Sequence, residues 1–193
     1  MALLPIVPYG NPTLRRQAEP VTTIDDDLLR LIDDMAETMR AAGGIGLAAP
    51  QVGVSRMVMV IDWSRWDEEH GTLQAYINPE ILEYGKKVET YDEGCLSFPK
   101  TSAKVPRPDH IKVRYQQIDG AIAEDELDEF PAHVFQHEYD HLLGILFIDR
   151  ISPSERARIK DNLQAILSGA VKPFDGTQPT EPERFKVKAA TLS

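Results

Sequence analysis

Cysteine is almost absent from this chain: one residue, Cys95, in 193. No internal disulfide can form, which fits a reducing compartment. The lone thiol is then a candidate ligand or nucleophile, or simply a small buried hydrophobe. Also missing is any apolar run near the ~20 residues of a membrane span. The opening MALLPIVPYGNP has no basic leader or cleavage signal, and prolines break its apolar stretch, so it does not read as a signal peptide. Positive charge is in deficit, with 21 Lys and Arg against 31 Asp and Glu, a formal charge of −10. That balance argues against a surface built to coat DNA. The expectation is a cytoplasmic protein with neither DNA nor membrane as partner.

What is present is ordinary for a globular chain, 42% hydrophobic and 27% charged, and long enough for one self-sufficient core. Residues 24–42 put Leu28, Leu31, Ile32, Met35 and Met39 on one helical face. Asp25, Asp26 and Asp27 stand at the positive end of that helix, and Gly43-Gly44 ends it. GIGLAAPQVG reads as irregular or extended, and MVMVI (57–61) as a buried strand. AYINPEIL and KKVETY are short strand candidates with a turn at Gly85 between them. IKVRYQQ alternates Ile111, Val113 and Tyr115, and Asp119-Gly120 turns the chain into another strand. A helix is expected from about Asp128 to Leu143, stopped by Gly144. A last helix opens on the capping box Ser152-Pro153-Ser154-Glu155 and runs to about Leu167.

Strands in the middle with helices at either end give an α+β fold of mixed, mostly antiparallel short strands around a central helix. Residues 1–169 are read as a single domain and 170–193 as a loosely ordered extension, since the tail has prolines and little apolar periodicity.

The central helix carries QHEYDH. His137 and His141 lie four apart and share a face, with Glu138 placed to handle protons beside them. His133 extends the row by four more residues. The outer two of these three histidines would be about 12 Å apart along the axis, so one ion with bonds of about 2.0–2.1 Å can hold only adjacent ones. The pair flanking Glu138 is preferred because it alone encloses an acid, and His133 becomes a wall residue. Where metzincins place a third histidine the chain has Phe147, which cannot coordinate. Upstream, DEGCLSFP offers Cys95. A thiolate and two imidazoles would suit zinc or another borderline divalent ion and leave one position open for water.

Three segments, GIGLAAPQ (44–51), EGCLS (93–97) and QHEYDH (136–141), resemble the three signature motifs of the peptide deformylases, in family order. The resemblance spans about residues 5–151. It implies hydrolysis of the formyl group from the formylmethionine of nascent chains. It also implies one divalent metal on Cys95, His137 and His141, ferrous iron by preference, with zinc, nickel or cobalt able to substitute. An ion-bound water would be the nucleophile and Glu138 the general acid and base. By the same mapping the Gln51 amide and the Leu96 N–H serve the oxyanion. Gly44, Ile45, Gly46 and Leu47 pair with the peptide as an added strand, with Gly94 opposite. Arg107 contacts substrate backbone, and Tyr91, Phe130 and His133 wall the methionine pocket. The histidine at 133 departs from the apolar residue common there. A transient ribosome contact through Lys186 and Lys188 is a further expectation, and the oligomeric state is not readable. Two alternatives stand beside this reading: an HExxH zinc peptidase, and a non-catalytic binding module on the same scaffold.

Overall fold

The computed structural model describes residues 2–177. A five-stranded sheet runs in the order β1 (Gly46–Ala48), β2 (Val58–Asp62), β3 (Leu73–Tyr84), β6 (His110–Gln116), β7 (Ile122–Asp128). A two-stranded sheet pairs β4 (Val88–Cys95) with β5 (Phe98–Pro108). Every ladder is antiparallel. The helices are α1 (Asp26–Ala41), α2 (Glu129–Leu142), α3 (Pro153–Arg158) and α4 (Lys160–Leu167). The α+β expectation holds, although β3 and β5 are long strands rather than short ones. No helix among the described residues is long and apolar enough to cross a membrane.

The five-stranded sheet is covered on both faces, which is why MVMVI is apolar at every position. Val58 and Val60 meet Leu28, Ile32, Met35 and Met39 of α1 in one core cluster. Met59 and Ile61 meet Ala132, Phe135 and Leu142 of α2 in another. Successive side chains point to opposite faces, so a strand between two helices needs no polar side. α1 begins where expected, with the Asp25 carboxylate accepting the Leu28 N–H at 2.8 Å.

Four local features go beyond the sequence reading. The strands on either side of Gly85 do not pair with each other: β3 pairs with β6 and β4 with β5. The chain leaves one sheet for the other there, close enough to His110 that a Cβ on Gly85 would lie 2.9 Å from the His110 Cβ. β5 went unread because its inward positions are Thr101, Ala103, Val105 and Arg107, a period of two with little apolar signal, and because it carries prolines. Proline is tolerated where a strand has a free edge. The last helix is two, broken at Ile159, whose side chain enters a third core cluster with Phe98, Val105 and Leu163. Ser152 caps it as expected, but Glu155 accepts the Lys104 N–H instead of closing the box.

Finally, residues 170–177 are held rather than loose. Phe174 is buried in the α1 cluster and its carbonyl accepts the Ile6 N–H at 2.8 Å. The rest of the tail, with Lys186 and Lys188, lies outside the described residues.

Asn78 fastens the sheet to the segment before α1. Its side chain accepts the Val21 N–H and donates to the Val21 carbonyl, both at 2.8 Å, from a left-handed backbone at φ 48°. Asn78→Ala removes both bonds and strains the backbone, so urea unfolding is expected to show a loss of about 2 kcal/mol.

Candidate metal centre

α2 is buried nearly all round although it is rich in polar residues. From Ala132 to Leu142 only Tyr139 is partly exposed, and His133, Gln136, His137, Glu138, Asp140 and His141 are all inside. A helix this polar can be buried only if its groups find partners, and those partners define the site.

Cys95, at the end of β4, brings its sulfur to 3.2 Å from His141 Nε2. The donor atoms of Cys95, His137 and His141 lie within 4.8 Å of one another, the one such group among the described residues. A tetrahedral ion with bonds of about 2.3 Å to sulfur and about 2.0–2.1 Å to nitrogen separates its donors by about 3.3–3.6 Å. The three residues therefore fit a divalent ion, with one side open. His133 is outside the group. Its ring packs on Tyr91 at 4.3 Å between centroids, and its Nδ1 stands 3.5 Å from Glu93 Oε1.

Glu93 is the residue that the sequence reading passed over. Its carboxylate meets His137 Nδ1 at 2.9 Å, which leaves Nε2 of that ring as the candidate ligating atom. Arg107 donates to both Glu93 oxygens and, through Nη1, to Asp140 at 2.7 Å, while Arg150 closes on Asp140 from the other side. Burial alone would push the Glu93 carboxyl up. The Arg107 guanidinium and the two histidines outweigh it and hold the group well below the usual carboxylate range. A signal existed: Glu93 is two residues from Cys95 on one strand, hence on the same side.

Arg107 is accordingly corrected. It was expected at the substrate, but only 2% of its surface is exposed and its guanidinium is drawn inward by Glu93 and Asp140. It holds Glu93, which in turn meets His137, and it is not among the residues that line the cleft.

Glu138 is buried beside the cluster, and its Oε2 has no hydrogen-bond partner among the described residues. Burial pushes its carboxyl up to about 7, helped by the Glu93 charge and opposed by His137 and Arg107. The carboxylate lies on the backbone of Gly46, where a Cβ would meet Oε1 at 2.5 Å and Cδ at 2.8 Å. Gly46 is a glycine because this acid occupies its side-chain space. At Gly44 the intruder is Leu96, whose Cδ1 would stand 2.7 Å from an added Cβ.

A glutamine after proline in a loop normally faces water, yet Gln51 is buried in a short 3₁₀ turn, Ala49–Val52. Its Oε1 accepts the Ala48 N–H at 2.8 Å, so Nε2 points onward, 3.4 Å from Cys95 Sγ. Leu96 sits in the tight turn between β4 and β5. A cavity of about 580 Å³ opens over His137 and Glu138, walled by Ile45, Tyr91, Gly94, Phe130, His133 and Val134. The expected pocket residues are thus together. Leu47 turns into the α1 core, and β1 is an edge strand. Arg65 and Glu68 also line it, and Trp66 packs on Phe130 at a tilt with 4.8 Å between centroids, contributions not anticipated from sequence.

Residues 3–157 match the polypeptide deformylase family. The chain is 47% identical over 162 residues to a peptide deformylase of Thermotoga neapolitana, an alignment covering 84% of this chain and 95% of that one. Its fold matches the crystal structure of peptide deformylase from Thermotoga maritima with a TM-score of 0.74 at 47% identity, over 79% of this chain and all of the other. It also matches peptide deformylase 1B of Arabidopsis thaliana in complex with an inhibitor, with a TM-score of 0.80 at 38% identity over 86% and 92% of the two chains.

Replacing Arg107 by methionine leaves the buried Glu93 carboxylate without its counter-charge, while Asp140 keeps Arg150. Urea unfolding of Arg107→Met is expected to show a loss of about 3–5 kcal/mol, the cost of breaking a buried ion pair from one side. A loss under 1 kcal/mol would mean that the network contributes little.

Proposed function

The chain belongs to the polypeptide deformylase family, and from that premise we propose that it hydrolyses the N-formyl group of nascent chains beginning with formylmethionine, releasing formate, with the residues of the candidate metal centre in the roles that follow. The observation that carries the assignment of roles is the convergence of Cys95, His137 and His141 donor atoms beside an unpartnered Glu138 oxygen, at the base of a cavity.

Cys95, His137 and His141 hold one divalent ion, which when bound supplies a Lewis acid and water acidified toward neutrality. We propose ferrous iron in that place, with zinc, nickel or cobalt as substitutes. Glu138 accepts the proton of the attacking water and hands it to the departing amine nitrogen, which leaves poorly unless protonated. Its Oε2 has no protein partner among the described residues, so no other side chain ties the carboxylate down. Gln51 Nε2 and the Leu96 N–H donate to the oxygen that becomes negative as the formyl carbon turns tetrahedral. The Gln51 amide is already oriented by Ala48, so little reorganisation accompanies the reaction.

The peptide adds as a strand along the free edge of β1 at residues 45–47, with Gly94 across the cleft, and the methionine side chain enters between Tyr91, Phe130 and His133. Gly44 and Gly46 keep that edge low while leaving room for Leu96 and Glu138. A nascent-chain substrate puts the activity in the cytoplasm, with transient proximity to the ribosome. The peptidase alternative has no use for Cys95 or Gln51, and both side chains are turned into the site.

Formate release from formyl-Met-Ala-Ser tests the reading. Activity is expected to vanish with a chelator and to return more fully with Fe(II) than with Zn(II), while Glu138→Gln retains metal and loses about 10²–10⁴-fold in kcat. A fully metal-loaded chain that releases no formate would reject the function.

Gln51→Ala is expected to cost about 2.7–4 kcal/mol of activation free energy with metal content intact. Unchanged turnover would remove Gln51 from the oxyanion site.

A further inference from the structure

The segment at residues 6–9 belongs to neither sheet, yet it touches both beside the candidate centre. Val7 N–H donates to the Gln51 carbonyl at 2.7 Å, and Tyr9 N–H donates to the Ser97 carbonyl at 2.9 Å. Pro8 between them has no N–H to offer. Gln51 sits in the 3₁₀ turn after β1 of the five-stranded sheet. Ser97 follows Leu96 in the turn of the two-stranded one. The Tyr9 ring stacks on Phe98 at 4.7 Å between centroids, which adds to the hold on that second turn. One short extended segment therefore sets the distance between the two backbones that carry the Gln51 amide and the Leu96 N–H.

The segment is itself anchored from behind. Leu4 N–H donates to Thr38 Oγ1 of α1 at 2.8 Å, and Ile6 N–H donates to the Phe174 carbonyl at 2.8 Å. The Phe174 ring is buried with Ile6, Leu28 and Ile32. Gly176, at φ 84°, lies against residues 3–5, which lead into the strap: an added Cβ would stand 3.0 Å from the Leu3 carbonyl oxygen and 3.3 Å from the Pro5 nitrogen. Phe174 and Gly176 are both beyond residue 157, where the family match ends.

We infer that residues 6–9 are a positioning strap for the two oxyanion donors, and that Phe174, from the segment following α4, holds the strap in place. The inference rests on the reading of Gln51 and Leu96 as those donors. Donor placement matters to the transition state more than to substrate binding, and a displacement of about 1 Å can cost up to about 10²-fold in rate. The signature is therefore a fall in kcat with KM nearly constant, measured per mole of folded, metal-loaded chain, because an unfolded fraction would lower apparent kcat at constant KM in the same way.

The experiment uses the full-length, metal-loaded chain. Phe174→Ala is expected to speed hydrogen exchange at the Val7 and Tyr9 amides and to lower kcat about ten-fold, with metal content and KM little changed, while Phe174→Leu restores most of both. Gly176→Ala, which stresses the residues leading into the strap while leaving Phe174 in place, is expected to give the same split more weakly, and carries the test if Phe174→Ala does not fold. Unchanged exchange at Val7 and Tyr9 would show that Phe174 does not hold the strap, and faster exchange with unchanged kcat would show that the strap positions nothing; either overturns the inference. Gln51→Ala measured in parallel separates the two readings. If it loses activity and the Phe174 and Gly176 variants do not, the strap alone falls; if it keeps full activity, the oxyanion assignment falls first.

Discussion

A buried carboxylate, Glu93, is the group on which the rest of the site depends. It joins three elements: its own strand β4, Arg107 of β5 and His137 of α2. A buried negative charge is tolerable only with an opposite charge and donors around it. Arg107 supplies the charge, and Asp140 and Arg150 extend the alternation to the surface. The set Glu93, Arg107, Asp140, Arg150 has two charges of each sign, so the interior is close to neutral before any ion arrives. The consequence for chemistry is orientation: His137 cannot rotate without giving up its bond to Glu93, and its remaining nitrogen is aimed at the position shared with Cys95 and His141.

The second constraint is space. Glu138 is brought against the backbone of β1 so closely that only glycine fits at position 46, and Leu96 does the same at position 44. Close approach of backbone to functional side chain keeps water out of the gap and makes the geometry stiff. Gln51 is treated alike: a buried amide whose oxygen is spent on Ala48, leaving its donors toward Cys95 and Ser97. These groups are held by the fold before substrate arrives, and the five-stranded sheet with a helix on each face supplies the rigidity.

Much of this was legible in the order of residues, and the failures have physical reasons. The Asp25 cap and the apolar row of α1 could be read because capping and helical periodicity are local. The pairing of the strands around Gly85 was not legible, because a glycine between two strand-like runs looks the same whether the strands pair with each other or with others. β5 escaped because its inward face carries Thr101, Ala103 and Arg107, and a buried arginine leaves no apolar mark. The substrate contact of Arg107 is implied only by the family resemblance, and the packing of β4 and α2 against β5 gives it Glu93 and Asp140 as partners. The docking of Phe174 was invisible since a single aromatic in a proline-bearing tail has no periodicity to announce it.

The chain's residues by themselves determined the ligand types, the helical spacing of His137 and His141, the acid between them and the exclusion of His133 from the same ion, because these follow from the 1.5 Å rise of a helix and the length of a metal bond. They also determined where α1 starts, through the Asp25 cap, and where α1 and α2 stop, through Gly43 and Gly144. Tertiary structure alone decided that a sulfur 42 residues before His137 lies 3.2 Å from His141 Nε2, that Glu93 faces His137, and that Gln51 is buried. Those are contacts between β4, α2 and a 3₁₀ turn, set by how two sheets pack about one helix, and no local pattern encodes the distance between them.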